Sequence, residues 1–163
     1  MERKTKNSKI IKATKEKLFS AFTEPKALEI WLVPGEMTGK VHSFDLSIGG
    51  GYEMSLFYPD SDKESKGKTQ GKEDRYKAKF VELQPSEKLV QTIAFDTEDS
   101  KMKGEMKMSV YLESVENATK VTITFDNLPI GINLKDNEDG TESSLEKLAE
   151  FVDRDFKANL FFK

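Results

Sequence analysis

Residues 141–163 set the terms for everything before them. Leu145, Leu148, Ala149, Val152, Phe156 and Leu160 fall on one stripe when the chain turns by about 100° per residue. Glu146, Lys147, Glu150, Asp153, Arg154 and Lys157 take the opposite side, and Phe151 and Phe162 widen the apolar stripe. A helix with that much apolar surface needs a concave partner. Most of what precedes it reads as β-strand, so a curved sheet wrapped around a long C-terminal helix is the architecture to expect.

The chain opens with a short strand over residues 9–13, where Ile10 and Ile11 are β-branched. Thr14 is placed to cap a first short helix carrying Leu18, Phe19, Ala21 and Phe22, although Lys17 stands where a capping box would have Glu. Pro25 starts a second short helix with Ala27, Leu28, Ile30, Trp31 and Leu32, and Val33-Pro34-Gly35 stops it. Period two then takes over. His42, Phe44 and Leu46 share a face of one strand. Gly49-Gly50-Gly51 turns the chain into Tyr52, Met54, Leu56 and Tyr58. Residues 59–75 are polar and charged and read as a long mobile loop. Tyr76, Ala78 and Phe80 resume the sheet, followed by Leu89, Gln91, Ile93 and Phe95. The run Met102, Gly104, Met106, Met108, Val110 and Leu112 alternates strictly with polar residues. Val121, Ile123 and Phe125 form the last strand, and residues 127–140 read as a connection to the final helix. The order is β-α-α-β6-α, an α+β antiparallel sheet with one face packed and a cavity between sheet and helix. With no internal repeat, residues 1–163 read as one domain.

Composition narrows the chemistry. At 163 residues the chain can bury about 70% of its unfolded surface, so a core forms without disulfide or metal. It has no cysteine, which excludes thiol nucleophiles, CxxC redox chemistry and cysteine-based zinc sites. With 26 basic and 29 acidic residues the net charge is −3, giving no electrostatic footprint for nucleic acid. No stretch approaches the roughly 20 apolar residues of a membrane span, and the polar start is unlike a signal peptide. A soluble, cytoplasmic protein is the expectation.

Several stretches, in order, resemble the activator of heat-shock-protein-90 ATPase homologue-like family of the START-like, or SRPBCC, superfamily. They are Ile11-x-Ala13 with Lys17-Leu18-Phe19-x-Ala21-Phe22-Thr23, and Pro25-x-x-Leu28-x-x-Trp31-x-x-Pro34. Asp45-Leu46-x-x-Gly49-Gly50 leading to Tyr52, Phe80-x-Glu82-Leu83-x-Pro85 with Lys88-Leu89-Val90, and Leu145-x-x-Leu148 follow. The resemblance implies the helix-grip fold and carries over no catalytic residue. Members often place Gly-Trp at the start of the last helix. Here the pair is Gly140-Thr141, so the aromatic lid is missing.

The residues that could carry chemistry are few. His42 is the only histidine, with no Ser or carboxylate at a recognisable spacing, and reads as a strand residue near the cavity rim. Gly49-Gly50-Gly51 precedes a strand instead of a helix, so it is a turn needing positive φ and not a phosphate loop. Asp136, Glu138, Asp139 and Glu142 do not have calcium-loop spacing. They suit the positive end of the last helix, with Asp139 and Glu142 or Ser143 and Glu146 as a capping pair. Met102, Met106 and Met108 point inward, either as core or as an adaptable cavity lining. Gln91 on an apolar strand face and Asn159 at the edge of the helix stripe need partners or a ligand, and Tyr52, Tyr58 and Tyr76 offer hydroxyls.

The leading expectation is a binding protein for a small hydrophobic or aromatic molecule, without catalytic residues, cofactor or metal. Its binding residues would be Tyr52, Met54, Gln91, Ile93, Met106, Met108, Val110, Leu148, Val152 and Phe156. Alternatives are a co-chaperone or stress-response module partnered by a chaperone, as the family name suggests, and a cyclase- or hydratase-like enzyme using the cavity.

Overall fold

The computed structural model describes residues 2–59 and 73–161, with residues 154–161 described for their backbone only. Strand β1 (Thr5–Ile11) leads to helices α1 (Lys15–Phe22) and α2 (Pro25–Trp31). Strands β2 (Thr38–Asp45), β3 (Gly51–Phe57), β4 (Glu73–Gln84), β5 (Lys88–Phe95), β6 (Met106–Val115) and β7 (Ala118–Asp126) follow, and helix α3 (Leu134–Phe161) ends the chain. All strands join one antiparallel sheet in the order β1-β7-β6-β5-β4-β3-β2, so β1 crosses over to close the far edge beside β7. The sheet curves around α3.

The local chemistry accounts for the opening elements. The Thr14 hydroxyl accepts from the Lys17 amide at 3.1 Å and starts α1. Pro25 sits in the first turn of α2, where an amide proton is not needed. The two helices bury Leu18, Phe22, Leu28 and Trp31 against α3 and the sheet. Trp31 is wholly buried, with its indole N–H donating to the Ala21 carbonyl at 2.8 Å and its ring meeting Phe22 edge-on at 4.7 Å. A buried indole without that acceptor would cost about 1–3 kcal/mol.

At the β2–β3 turn Gly49 has φ +89°. A side chain at Gly51 would strike the Ala78 carbonyl oxygen, 1.8 Å from the Cβ position, so only glycine lets β3 approach β4 there.

Several expected boundaries move. α3 begins at Leu134, inside what residues 127–140 suggested was a connection. Asn133 starts it, its side-chain oxygen accepting from the Asp136 amide at 3.0 Å. The capping pairs drawn from Asp139, Glu142, Ser143 and Glu146 therefore fall inside the helix, as does Gly140-Thr141. β6 starts at Met106; Met102 lies in the preceding turn and Gly104 has φ +109°, which breaks the strand its alternation suggested. β1 spans Thr5–Ile11, beginning before and ending short of the expected residues. Of the loop expected over residues 59–75, Glu73, Asp74 and Arg75 are strand, and residues 60–72 lie outside the described residues. Finally, β2 has a bulge at His42, where the register slips between Val41 and Ser43. Val41 and Phe44 therefore pack on the core while His42 and Leu46 are exposed, contrary to the simple alternation.

Candidate functional site

The stripe of α3 facing the sheet changes character along its length. Leu145, Leu148 and Val152 are buried and fill the space above the sheet. One to three turns earlier, the matching positions are Asn137, Gly140, Thr141 and Ser144, which are too short to reach the strands. They leave a cavity of about 320 Å³. Its floor is the concave face of β3 to β7: Leu56, Tyr76, Ile93, Phe95, Met106, Met108, Ile123 and Phe125. Leu32 and Pro34 after α2 close one flank, and Gly131, Ile132 and Asn133 close the other.

Hydrogen bonds hold the helix over this hollow where packing cannot. The Thr5 hydroxyl donates to Asn137 Oδ1 at 2.5 Å, and the Asn7 amide donates to the Glu138 carbonyl at 3.1 Å. The Thr141 hydroxyl is turned onto the Asn137 carbonyl at 2.8 Å. On the far side Lys147 donates to the carbonyls of Val33 and Gly35, and burial holds its ammonium below the ordinary lysine value. At the rim, the Arg3 guanidinium bonds the carbonyls of Leu128 and Pro129, each at 3.1 Å, and that of Ile132.

Among the expected binding residues, Gln91, Ile93, Met106 and Met108 border the cavity. Tyr52, Met54, Val110, Leu148 and Val152 are buried in the packed core beside it and are not part of its lining. The side chain of Phe156 lies outside the described residues, as does that of Asn159. Gln91 is satisfied by protein, its side-chain nitrogen donating to the Tyr52 hydroxyl at 2.9 Å and to the Met108 sulfur at 3.6 Å. Tyr76 donates to the Met54 sulfur at 3.2 Å. Burial pushes the Tyr52 phenol up to about 12 and that of Tyr76 well above its ordinary value, so both stay protonated.

The residue that sequence reasoning missed is Asp74. It is 1% exposed and occupies the inward face of β4, in step with Tyr76, Ala78 and Phe80. The Tyr58 hydroxyl donates to its Oδ2 at 3.1 Å. An inward acid breaks the apolar alternation, and that break hid the start of the strand.

Two other candidates are resolved by position. His42 lies on the outer face, its Nε2 2.9 Å from the Ser55 hydroxyl, which in turn donates to Glu73. With the serine proton committed to Glu73, the imidazole is the donor, which is the wrong polarity for activating a nucleophile. Among the described residues no cluster of three or more acidic or histidine side chains could hold a metal ion, and the described acids that border the cavity are Asp74, from β4, and Asp136, from α3.

A curved antiparallel sheet gripping a C-terminal helix over a cavity is the helix-grip architecture of START-like proteins. Protein CV1439 from Chromobacterium violaceum shares it with TM-score 0.78 at 24% identity, over 91% of this chain and 96% of that one. A protein from Arthrobacter aurescens does so with TM-score 0.73 at 19% identity, over 90% and 83% of the two chains. One from Rhodobacter sphaeroides has TM-score 0.71 at 18% identity, over 93% of each. No curated protein matches the sequence. Within that class the chain belongs to the Activator of Hsp90 ATPase homolog 1-like family, whose model matches residues 12–153. Among the described residues no helix is long and apolar enough to cross a membrane.

Proposed function

We propose that this protein binds a small apolar or aromatic molecule in the hollow beneath the first turns of α3. The observation that carries the reading is the cavity itself: about 320 Å³, floored mainly by aromatic, aliphatic and thioether side chains, with polar groups from the start of α3 above and Asp74 and Gln91 from the sheet. That volume is at the small end of the about 300–1,000 Å³ typical of ligand sites. Met106 and Met108 suit a floor that must adapt to a guest, since the thioether is flexible and polarizable. Of the expected binding residues, Gln91, Ile93, Met106 and Met108 are retained as contacts. Tyr52 acts through Gln91, and Met54, Val110, Leu148 and Val152 form the wall behind.

We read the protein as a binder and not a catalyst, because its histidine stands on the opposite face of the sheet and is oriented as a donor. We take residues 1–163 to act as one domain, and a reducing cytoplasm suits a chain without cysteine. The family's description also names a chaperone ATPase; co-purification with a chaperone tests that partner separately.

The decisive experiment uses methionine-methyl NMR with a panel of flavonoid-, polyketide- and fatty-acid-like compounds. Binding shifts the Met106 and Met108 methyls and leaves that of Met54 almost unmoved. A panel that moves neither floor methionine overturns the proposal.

A further inference from the structure

We infer that the guest of this cavity is an aromatic carbonyl compound, a ketone or ester and not an acid, whose oxygen accepts a hydrogen bond from the Ser144 hydroxyl in the roof. The inference deepens the binding reading above and rests on it. The starting observation is a hydroxyl without a protein partner. Ser144 is 5% exposed and borders the cavity, and among the described residues nothing bonds its side chain. Of the described buried side chains, only Asn7 has an oxygen both sealed from open space and unbonded. The Ser144 oxygen therefore meets open space, and that space is the cavity.

The neighbours show what such a group ordinarily does. A serine or threonine inside a helix can return its proton to the carbonyl four residues back, and Thr141 does so, donating to the Asn137 carbonyl at 2.8 Å. Ser143 accepts from the Gly35 amide at 3.1 Å. Ser144 does neither. It lies one turn before Leu148, where the roof meets the packed core, so its hydroxyl stands at the inner end of the hollow. A buried hydroxyl that bonds nothing is costly, and alanine would serve a packed helix better at that position.

The donors and acceptors around the hollow set the chemistry of the guest. Thr141 has spent its proton, and the Gln91 side-chain nitrogen is committed to Tyr52 and Met108. Asn137 has its oxygen taken by Thr5, which leaves its N–H groups. The roof thus presents donors, the Ser144 O–H and, two turns away, the Asn137 N–H, about 10 Å apart along the axis. Donors call for an acceptor oxygen. Among the described residues that line the cavity, Asp74 and Asp136 are acidic and none is Lys, Arg or His. A carboxylate would therefore enter a poorly solvated space without a counter-charge and beside two acids. A carbonyl brings the acceptor without the charge, and an aromatic body suits Tyr76, Phe95, Phe125 and the floor methionines.

The test titrates three compounds of one bicyclic skeleton, tetralin, its ketone tetralone and its carboxylate, substituted at the same ring carbon. They are added to the full chain and read at the Met106 and Met108 methyls. The carboxylate is expected to bind more weakly than the ketone. Ser144→Ala, which suits a helix interior, should leave the tetralin affinity close to unchanged and lower the ketone-to-tetralin ratio about tenfold. Infrared spectra of isotope-labelled tetralone add a second readout: the bound carbonyl stretch is expected at lower frequency in the wild type than in Ser144→Ala. The inference is overturned by a ratio that Ser144→Ala leaves unchanged, by a bound stretch that the variant does not move, or by a carboxylate that binds as tightly as the ketone. If tetralin binds in any of these cases, the cavity reading survives without the carbonyl anchor. If none of the three binds, both fall. Should Ser144→Ala fail to fold, the wild-type stretch decides: at the frequency found in a hydrocarbon solvent, it overturns the inference.

Discussion

The two ends of the face between sheet and helix are built by opposite means. At one end Trp31, Phe22, Leu28, Leu145 and Leu148 are buried together in the core, and the helix is held by burial. At the other end Asn137, Gly140, Thr141 and Ser144 hold the helix clear of the strands, and Thr5, Asn7 and Arg3 support the rim by hydrogen bonds. A single α3 therefore belongs half to a core and half to a roof. The difference teaches that a cavity in a stable protein needs polar support at its edge, because the apolar contacts that would otherwise hold the helix are missing by design of the site.

The contrast breaks most visibly under truncation. Leu148→Ala, which removes a wholly buried side chain at the packed end, should cost about 3 kcal/mol by urea denaturation. Thr141→Leu, which grows a side chain into the hollow, should change stability by less than about 1 kcal/mol while abolishing ligand-induced methyl shifts. If the second costs as much as the first, the two ends are packed alike and the contrast is void.

Alkaline titration probes the boundary between the ends, where Tyr52 and Tyr76 are buried. Their folded pKa values lie above the unfolded tyrosine value, Tyr52 at about 12. Between about pH 10 and 12 the unfolded chain gives up protons that the folded one keeps, so stability is full below pH 10 and falls as pH rises. The slope reaches up to about 1.4 kcal/mol per pH unit for each phenol, and Tyr52→Phe should make the decline shallower. An unchanged decline in that variant would show that Tyr52 ionises freely.

The rim is tested more gently. Thr5→Val keeps the shape but removes the bond to Asn137, and a loss of about 1 kcal/mol is expected, together with weaker ligand binding if the roof is what that bond supports. The smallest effect should be a gain. Gly140 lies inside α3, and a methyl there meets only Pro34 Cβ at 3.6 Å, an ordinary contact. Gly140→Ala should therefore stabilise by about 0.5–1 kcal/mol, seen as a higher urea midpoint.

How much of this was legible in the sequence follows the same division. Trp31, Phe22 and the alternating strands were readable because burial writes apolar periodicity into the chain, and the strand and helix order came through complete. The residues around the hollow wrote nothing comparable. Asn137, Gly140, Thr141 and Ser144 face empty space, so no apolar stripe marked the first turns of α3 and the helix read as starting at residue 141. Asp74 hid the start of β4 in the same way, and the bulge at His42 reversed an alternation that local sequence could not show. The methionines of the floor were visible, since Met106 and Met108 alternate like any core strand. Nothing in their spacing distinguished a wall from a filling.

The grip of Arg3 on the Leu128, Pro129 and Ile132 carbonyls has a practical consequence. The segment between β7 and α3 borders the hollow through Gly131, Ile132 and Asn133, and it is tied to a side chain that precedes β1. Under the binding proposal, a fusion ahead of Met1 that loosens this grip should change ligand-binding rates more than equilibrium affinity, which tagged and untagged preparations would show.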